Sequence, residues 1–528
     1  MQEASWDQLT LPKIVARAAR RFGEQSAIED EGVRLSFAQL EAAGLEATRA
    51  FMAAGVEPGQ AVAIWAPNLW EWVVAAIGAQ GAGGVVVTIN TRYKAGEAAY
   101  NLRKSRARVL CTLGDFLGMN YADCLAGEEL PDLAQVVTLR GDSKRGTRWR
   151  DFLEAGARIP EAEARARQEA VTSRDPADIL FTSGTTGLPK GVVSAHGQNL
   201  KVFATWSQGV GLREGDRVLV IPPFFHSFGY KAGWLACLLR GATILPHQVY
   251  DDAEVCRRIE SDRVSVLNGP PTIYQSLLAY PEREKHDLSS LRLAVTGAAA
   301  IPVELIRQMR EVLGFETVIT AYGLSESTGT VSMCQPDDDA ETIATTSGRA
   351  IPDVEVKCVD ASGKEVPQGE PGEVWVRGYN VMQGYFEDPQ ATAEAIDAGG
   401  WLHTGDVAVM DARGYLRITD RIKDMFIMGG FNCYPAEIEN LLFAHEGVAQ
   451  VAVIGVPDAR AGEVGMAFVV PRPGHALDAA GIVSWCREHM ANFKVPRYVE
   501  VVGALPMNAS GKVTKNVLRE RAAEKLGG

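Results

Sequence analysis

The sequence has few of the features that mark secreted, metal-binding or membrane proteins. Its eight cysteines are scattered singly along 528 residues, with no C-x-x-C pair, which argues against a disulfide framework or a zinc site. The N-terminal residues 1–13 lack the basic region and apolar core of a secretion signal, and no window reaches about 18 uninterrupted apolar residues. We therefore predict a cytoplasmic protein with reduced thiols and no stable insertion in a membrane.

Positive charge is also scarce. The 53 lysines and arginines are outnumbered by 66 acidic residues, which gives a formal net charge of -13. Binding to a phosphate backbone requires clustered basic side chains, and the sequence has no basic arm, so nucleic acid is not expected as a partner. At 528 residues the chain is too long for a single core, so we expect two or more domains.

The order of apolar and polar segments predicts an α/β fold. A strand-like run at 61–65, a helix over 71–81 and a strand at 85–88 have the βαβ rhythm of parallel sheets flanked by helices. From Gly348 the pattern changes to short strands and turns, which indicates a β-rich subdomain. We predict a large domain over 1–420, a hinge at 421–423 and a small mobile α+β domain over 424–528.

The stretch from Phe181 to Gly191 is the most informative part of the chain. It places glycines and hydroxyl residues directly after an apolar run and ends in Lys190. Converging backbone N–H groups, hydroxyl donors and one positive charge suit a polyphosphate. A Walker A loop requires Ser or Thr after the lysine, whereas Gly191 follows here, so a simple P-loop kinase is disfavoured. Taken alone, the stretch is also compatible with an ordinary surface turn.

Further segments resemble the core motifs of the adenylate-forming superfamily, which unites acyl-CoA synthetases, peptide-synthetase adenylation domains and beetle luciferases. The segments are 321–327, 400–406, 420–434 and 506–515, in that family's order and approximate spacing. The resemblance extends from about Thr10 to Arg519. The residues at 225–233, 269–278 and 429–432 are closer still to one branch, the CoA ligases of actinobacterial sterol breakdown, which act on a methylhexahydroindanedione propanoate.

The resemblance implies an enzyme that uses ATP, Mg²⁺ and CoA with a small carboxylic acid. The carboxylate attacks the α-phosphate of ATP and expels pyrophosphate, and the CoA thiol then attacks the acyl-adenylate and releases AMP. A medium-chain, long-chain or aryl acid stays open as the substrate. Also open are a non-catalytic nucleotide- or acyl-binding protein, transfer of the acyl group to a carrier protein, and luciferase-like oxidation. The sequence does not decide whether the chain forms a homodimer.

The resemblance also assigns the nucleotide site. Glu326 corresponds to the magnesium-coordinating carboxylate, and Lys512 to the mobile lysine that bridges the substrate carboxylate and the α-phosphate. Tyr322 corresponds to the aromatic residue that stacks on adenine, and Ser325 retains the hydroxyl of the usual threonine. The ATP- and AMP-binding residues implied in this way are Thr182, Ser183, Gly184, Thr185, Thr186, Gly187, Lys190, Tyr322, Gly323, Ser325, Asp406 and Arg421.

The acyl and CoA sites follow from the same resemblance. His226 is expected near the carboxylate entrance, as a catalytic residue. Gly429 and Gly430 are expected to present backbone to pantetheine, and Lys423 to be the hinge. The acyl-pocket residues implied are Phe225, His226, Tyr230, Lys231, Gly269, Thr296, Gly297, Ala298 and Ala299.

Lys231 stands out because it lies in an apolar helical segment. A buried ammonium group without a partner is costly, so two interpretations remain open. The side chain either extends to solvent or to a partner on the protein, or it donates to a polar atom of the substrate, such as a ring ketone.

Overall fold

The computed structural model describes residues 9–182, 189–297, 301–421, 424–428, 431–458, 462–490, 492–508 and 513–526. Within its strands, the side chains at positions 420, 421, 427, 431 and 432 fall outside the description. Among the described residues, no helix is both long and apolar enough to cross a lipid bilayer.

The strands of the described residues are numbered in chain order from β1 to β26. They are Ser26–Asp30, Val33–Ser36, Ala61–Trp65, Val85–Thr88, Val109–Leu113, Gln135–Arg140, Thr147–Arg148, Pro176–Thr182, Lys190–Ala195, Arg217–Val220, Thr243–Pro246, Val266–Asn268, Leu293–Gly297, Thr317–Tyr322, Ser332–Met333, Arg349–Ala350, Val354–Val359, Pro371–Gly378, Gly384–Tyr385, Leu402–Met410, Leu416–Arg421, Phe426–Met428, Phe431–Cys433, Val448–Asp458, Gly462–Pro471 and Tyr498–Val501.

The α-helices of the same residues are numbered from α1 to α18. They are Leu11–Phe22, Phe37–Ala53, Trp70–Gly81, Ala95–Ser105, Tyr121–Cys124, Trp149–Ala155, Glu161–Ala170, His196–Gly209, Ser227–Gly229, Ala236–Arg240, Asp252–Ser261, Pro271–Ala279, Val303–Glu311, Ala340–Thr345, Pro389–Ala395, Pro435–Leu442, Ala479–His489 and Lys515–Leu526. A π-helical turn, Tyr230–Leu235, joins α9 to α10.

Two mainly parallel sheets form the body of the large domain. One has the strand order β16-β15-β14-β13-β12-β10-β11-β1-β2, and the other the order β19-β9-β8-β4-β3-β5-β6-β7. Strands β3, β4 and β5 are buried along their whole length because helices cover both faces of the sheet. Helix α3, which lies in this core, is buried on nearly every side. The predicted α/β architecture is confirmed.

A cluster of charged side chains connects the two sheets. Arg140, the last residue of β6, donates at 2.7 Å to Asp30 of β1 and, through two nitrogens, to Glu71 of α3. Asp30 also accepts from the backbone N–H of Trp70 at 3.1 Å. The bidentate contact with Glu71 fixes the direction in which β6 meets α3, and the bond to Asp30 links β1 to the same guanidinium group.

The residues after Gly348 form the β-rich subdomain that the sequence predicts. Strands β17, β18, β20 and β21 lie in that order, and each neighbouring pair is antiparallel. The C-terminal residues form another sheet with the order β23-β22-β25-β24, to which β26 adds in parallel beside β25. Its buried cores begin at Phe426, whereas the partly buried residues of the large core end at Ile418. The hinge at 421–423 stays a prediction.

The topology brings several strand ends to one edge. Strands β14, β13, β12 and β10 are neighbours in the sheet and run parallel, so their carboxyl ends lie side by side. Open α/β sheets bind ligands outside the carboxyl ends of their strands. The loops that follow these strands are therefore where a site is expected.

Candidate active site

The base of the predicted phosphate loop is formed by two antiparallel strands. β8 ends at Thr182 and β9 begins at Lys190, and these two residues are paired across the strands. The Thr182 hydroxyl donates to the Lys190 carbonyl at 3.4 Å, which closes the base of the loop. Lys190 is thereby held where the loop rejoins the sheet. Residues 183–188 of the loop lie outside the described residues, and among them are the predicted ligands Ser183, Gly184, Thr185, Thr186 and Gly187.

Glu326 lies in a 3₁₀ turn, Ser325–Ser327, a few residues after β14. The chain reaches this turn through Gly323, where an added Cβ would come within 2.2 Å of the Gly329 carbonyl oxygen. Only glycine allows that close approach of two backbone segments. The Glu326 carboxylate accepts a hydrogen bond from the Tyr385 hydroxyl at 3.0 Å. The predicted metal-binding carboxylate is thus held by a residue of the distant strand β19.

Tyr322 and Asp406 meet although 84 positions separate them in the sequence. The hydroxyl of Tyr322, at the end of β14, donates to Asp406 Oδ2 at 2.6 Å. Asp406 lies in β20 opposite Arg421 of β21, and only 4% of it is exposed. The side chain of Arg421 falls outside the description, so its predicted part in binding ATP and AMP stays a prediction.

The predicted acyl-pocket residues follow strands that are neighbours in the sheet. Phe225 and His226 come after β10, Gly269 comes after β12, and Thr296 and Gly297 end β13. The His226 Nδ1 accepts from the backbone N–H of Phe228 at 3.2 Å, which fixes the ring at the start of α9. The structure therefore brings these residues to one edge of the sheet.

Lys231 is buried and bonded to the protein. Its amine lies 3.1 Å from Asp178 Oδ1 and 3.2 Å from the Ser194 hydroxyl, and the side chains of Lys231 and Asp178 are 1% and 0% exposed. Asp178 also accepts from the Asn199 amide. Burial raises the pKa of Asp178 and lowers the pKa of Lys231, while the attraction between the two groups opposes both shifts. In the structure the ammonium group therefore reaches a protein partner and does not extend to solvent.

Tyr230 belongs to the same buried network. Its hydroxyl accepts from Gln80 Nε2 at 2.9 Å and is also hydrogen-bonded to Asp178, while its ring stacks on Trp234 at a centroid distance of 4.8 Å. Tyr230 and Lys231 open the π-helical turn between α9 and α10. Such turns are often found at functional sites because they redirect side chains within a helix. Here the turn directs both polar groups towards β8.

Sequence reasoning missed two residues of this region, Asp178 and Tyr385. Asp178 interrupts the apolar run of β8, where a charge needs a buried partner, and that pattern could have indicated a link with Lys231. Tyr385 follows Gly384 shortly before the helix that starts at Pro389, which is no more than a turn signal by itself. Its contact with Glu326 is visible only in three dimensions.

Several predicted site residues cannot be placed. Those that lie outside the described residues, besides the loop, are Ala298, Ala299, Lys423, Gly429, Gly430 and Lys512. Their assigned roles stay predictions.

The groups that the structure does bring together suit a nucleotide. Lys190 supplies a positive charge at the mouth of the loop, and Asp406 supplies the acceptor oxygens that a ribose diol requires. Glu326 supplies a carboxylate, the ligand type that Mg²⁺ prefers. No cluster of three or more possible metal ligands occurs in the described parts of the chain. A single carboxylate still fits, because Mg²⁺ is commonly held by one or two carboxylates together with substrate phosphates.

The chain belongs to the AMP-binding enzyme family and, within it, to the acyl-CoA ligases. The model for "AMP-binding enzyme" matches residues 15–386, and the model for "AMP-binding enzyme C-terminal domain" matches residues 437–512. Both the family and the enzyme class predicted from the motifs are confirmed.

Two curated relatives have the same name, "3-[(3aS,4S,7aS)-7a-methyl-1,5-dioxo-octahydro-1H-inden-4-yl]propanoyl:CoA ligase". The one from Rhodococcus jostii (strain RHA1) is 50% identical over 517 residues, 97% of this chain and 98% of the relative. The one from Mycobacterium tuberculosis (strain ATCC 25618 / H37Rv) is 51% identical over 514 residues, 97% of this chain and 99% of the relative.

A solved structure is similar over the whole chain. The anthranilate CoA ligase AuaEII in complex with anthranoyl-AMP superposes with a TM-score of 0.89 at 29% identity, and covers 99% of each chain. The fold described above is therefore that of an adenylate-forming enzyme with both its domains.

Proposed function

We propose that this acyl-CoA ligase activates a sterol-derived methylhexahydroindanedione propanoate in the cytoplasm. The observation that carries the proposal is the identity of 50% and 51%, over 97% of the chain, with two relatives named as ligases of that acid. In the first step the acid and ATP give acyl-AMP and pyrophosphate. In the second step the CoA thiol displaces AMP and forms the thioester.

The described residues support the first step through charge. A carboxylate and a triphosphate repel each other, so the site must supply positive charge and hydrogen-bond donors where they meet. Lys190 and the Thr182 hydroxyl bind the outer phosphates in this proposal, while Asp406 binds the ribose. Glu326 would hold Mg²⁺, which offsets phosphate charge when bound.

The remaining roles rest on the family resemblance. Lys512 would bridge the acid and the α-phosphate during the first step. The small domain would then turn about Lys423, so that Gly429 and Gly430 contact the pantetheine of CoA. Glycine at those positions permits close approach of backbone to the ligand.

The experiment that tests the substrate measures AMP release with ATP, Mg²⁺ and CoA. The methylhexahydroindanedione propanoate is compared with decanoate, and each reaction is repeated without CoA as a control. A strong preference for the bicyclic acid supports the proposal. A preference for decanoate contradicts the proposed substrate but not the AMP-forming reaction. Absence of AMP release with either acid contradicts both the proposed substrate and the proposed reaction.

A further inference from the structure

We propose that Tyr385 is a positioning residue of the adenylation site, which holds Glu326 and Lys190 in place and keeps their opposite charges apart. The inference rests on the proposed function for the roles of those two residues. It adds a residue that none of the recognised motifs includes.

Tyr385 contacts both charged groups with different parts of its side chain. The hydroxyl donates to Glu326 Oε1 at 3.0 Å, and the ring centroid lies 5.0 Å from Lys190 Nζ. The ring distance is within the range of a cation–π interaction. A carboxylate only accepts hydrogen bonds, so the tyrosine hydroxyl is the donor of this contact. One side chain thus touches the cation of the phosphate loop and the predicted metal ligand.

The backbone around Tyr385 is tied to both neighbours. Tyr385 pairs with Val192 across the antiparallel strands β19 and β9, two residues after Lys190. The Phe386 N–H donates to the Gly191 carbonyl at 2.7 Å, and the Met382 N–H donates to the carbonyl of Glu326 at 2.8 Å. The side chain therefore starts from a backbone already fixed to the loop base and to the carboxylate.

Gly384 makes this geometry specific. Its φ of +143° lies in a region that side chains rarely adopt, and an added Cβ would come within 2.9 Å of Thr392 Cγ2. The Thr392 hydroxyl in turn accepts from the N–H of Tyr385 at 2.9 Å. A glycine at 384 therefore lets the chain bend closely around Thr392, which sets the direction of the tyrosine side chain.

The arrangement solves an electrostatic problem. Lys190 and Glu326 carry opposite charges near one site, and a direct ion pair would use up the cation meant for phosphate and the carboxylate meant for metal. Within the described residues no ion pair joins the two: Lys190 Nζ lies over the Tyr385 ring, and the Glu326 carboxylate accepts from the Tyr385 hydroxyl. The hydrogen bond to Oε1 fixes the rotation of the Glu326 carboxylate and leaves Oε2 able to bind a metal ion. The Tyr385 ring attracts the Lys190 ammonium group without neutralising its charge.

The test uses Tyr385→Phe in the full-length enzyme, because this variant removes the hydroxyl and keeps the ring. The readout is the rise in melting temperature at a fixed ATP concentration, measured as Mg²⁺ is titrated, which needs neither acid nor turnover. Loss of a hydrogen bond to a charged group should raise the Mg²⁺ concentration at the half-maximal shift about 10-fold. Unchanged half-saturation would overturn the proposal.

Tyr379→Phe is the matched control. Tyr379 also lies beneath a lysine, with Lys201 Nζ 4.0 Å from its ring, and its hydroxyl donates to Thr205 at 3.4 Å. Neither contact involves Glu326 or Lys190, so the Mg²⁺ dependence of this variant should match that of the wild type. Equal shifts in the two variants would mean that tyrosine hydroxyls affect only general stability, which would overturn the proposal.

A double variant tests whether Tyr385 acts through Glu326. If it does, adding Tyr385→Phe to Glu326→Gln should not shift the Mg²⁺ midpoint any further, whereas additive shifts would overturn the inference. The proposed function is tested separately, because its failure appears as absent AMP release by the wild type with either acid. Absence of that activity leaves the ATP and Mg²⁺ titrations interpretable.

Discussion

Replacing Lys231 with methionine should destabilise the large domain strongly, because it removes the charge that faces Asp178. The two groups are 3.1 Å apart, and their side chains are 1% and 0% exposed. At this distance the attraction between unit charges is about 5 kcal/mol with an effective dielectric constant of about 20. Part of this lost attraction is offset because the variant no longer has to bury an ammonium group. A further part is offset by Asn199 and Tyr230, which still donate hydrogen bonds to Asp178. We expect a net loss of about 3 kcal/mol, at the lower end for a broken buried pair.

The measurement is the free energy of unfolding in urea, followed by tryptophan fluorescence. Lys285→Met is the matched control, because Lys285 pairs with Glu282 at 2.6 Å while their side chains are 69% and 55% exposed. Exposed pairs contribute little, so that variant should unfold like the wild type. The double variant Lys231→Met with Asp178→Asn should recover most of the stability, since no buried charge is left. A double variant no more stable than Lys231→Met would refute the reasoning.

The pH dependence supplies a second check on the same pair. Without Lys231, the opposing attraction is lost and burial alone acts on Asp178, so its pKa should rise further. A group whose folded pKa lies above its unfolded value favours the folded state at low pH and loses that contribution as pH rises. The deficit of Lys231→Met relative to the wild type should therefore shrink as pH falls towards the ordinary pKa of aspartate. A deficit that grows on acidification would contradict this account.

The stable double variant also decides whether Lys231 contacts substrate. If the ammonium group donates to a ring ketone, that variant should turn over the diketone acid poorly and decanoate normally. An equal loss of turnover with both acids would mean that Lys231 acts only within the protein interior and does not contact the substrate.

Two further predictions concern separate steps and conditions. Lys512→Ala should abolish adenylation, measured as ATP–pyrophosphate exchange, and spare thioester formation from supplied acyl-adenylate. The reason is that the lysine would act only in the first step. Equal losses in the two steps would refute this role of Lys512. Burial lowers the pKa of His196 to about 4. As the pH falls, the unfolded chain therefore binds a proton at His196 before the folded protein does. The free energy of unfolding should fall by about 2 kcal/mol between pH 7.5 and 5 for this reason. His196→Asn should remove that part of the pH dependence, while the exposed His475→Asn should not.

Periodicity predicted the buried core well because burial leaves a direct trace in the sequence. The strand at Ala61–Trp65 and the strand at Val85–Thr88 have the bounds expected from their apolar runs, and the helix between them begins one residue earlier than expected. Both strands are covered on two faces, so their residues are apolar except Thr88, whose hydroxyl donates to the Phe225 carbonyl at 2.7 Å. Where a segment is buried along its whole length, its apolar composition is sufficient to predict its bounds.

The π-helical turn Tyr230–Leu235 was out of reach for the same reason. The segment is apolar around most of its circumference, so an extra residue in the turn leaves no change of period to detect. The partner of Lys231 was equally hidden, because Asp178 lies 53 positions earlier in a strand and only the sheet order brings them together. Pairings across long stretches of chain depend on topology, which local patterns do not contain.

The position of β1 and β2 has a consequence for how the chain is made. Ile28 of β1 pairs with Ile244 of β11, so the hairpin of β1 and β2 joins a partner strand that is synthesised roughly 200 residues later. At a translation rate of about 5–20 residues per second, the hairpin waits tens of seconds for its partner strand. During that interval the edge of β1 that pairs with β11 lacks its partner strand. The two strands that come first in this sheet's sequence order therefore cannot complete their pairing until residues far along the chain have been made.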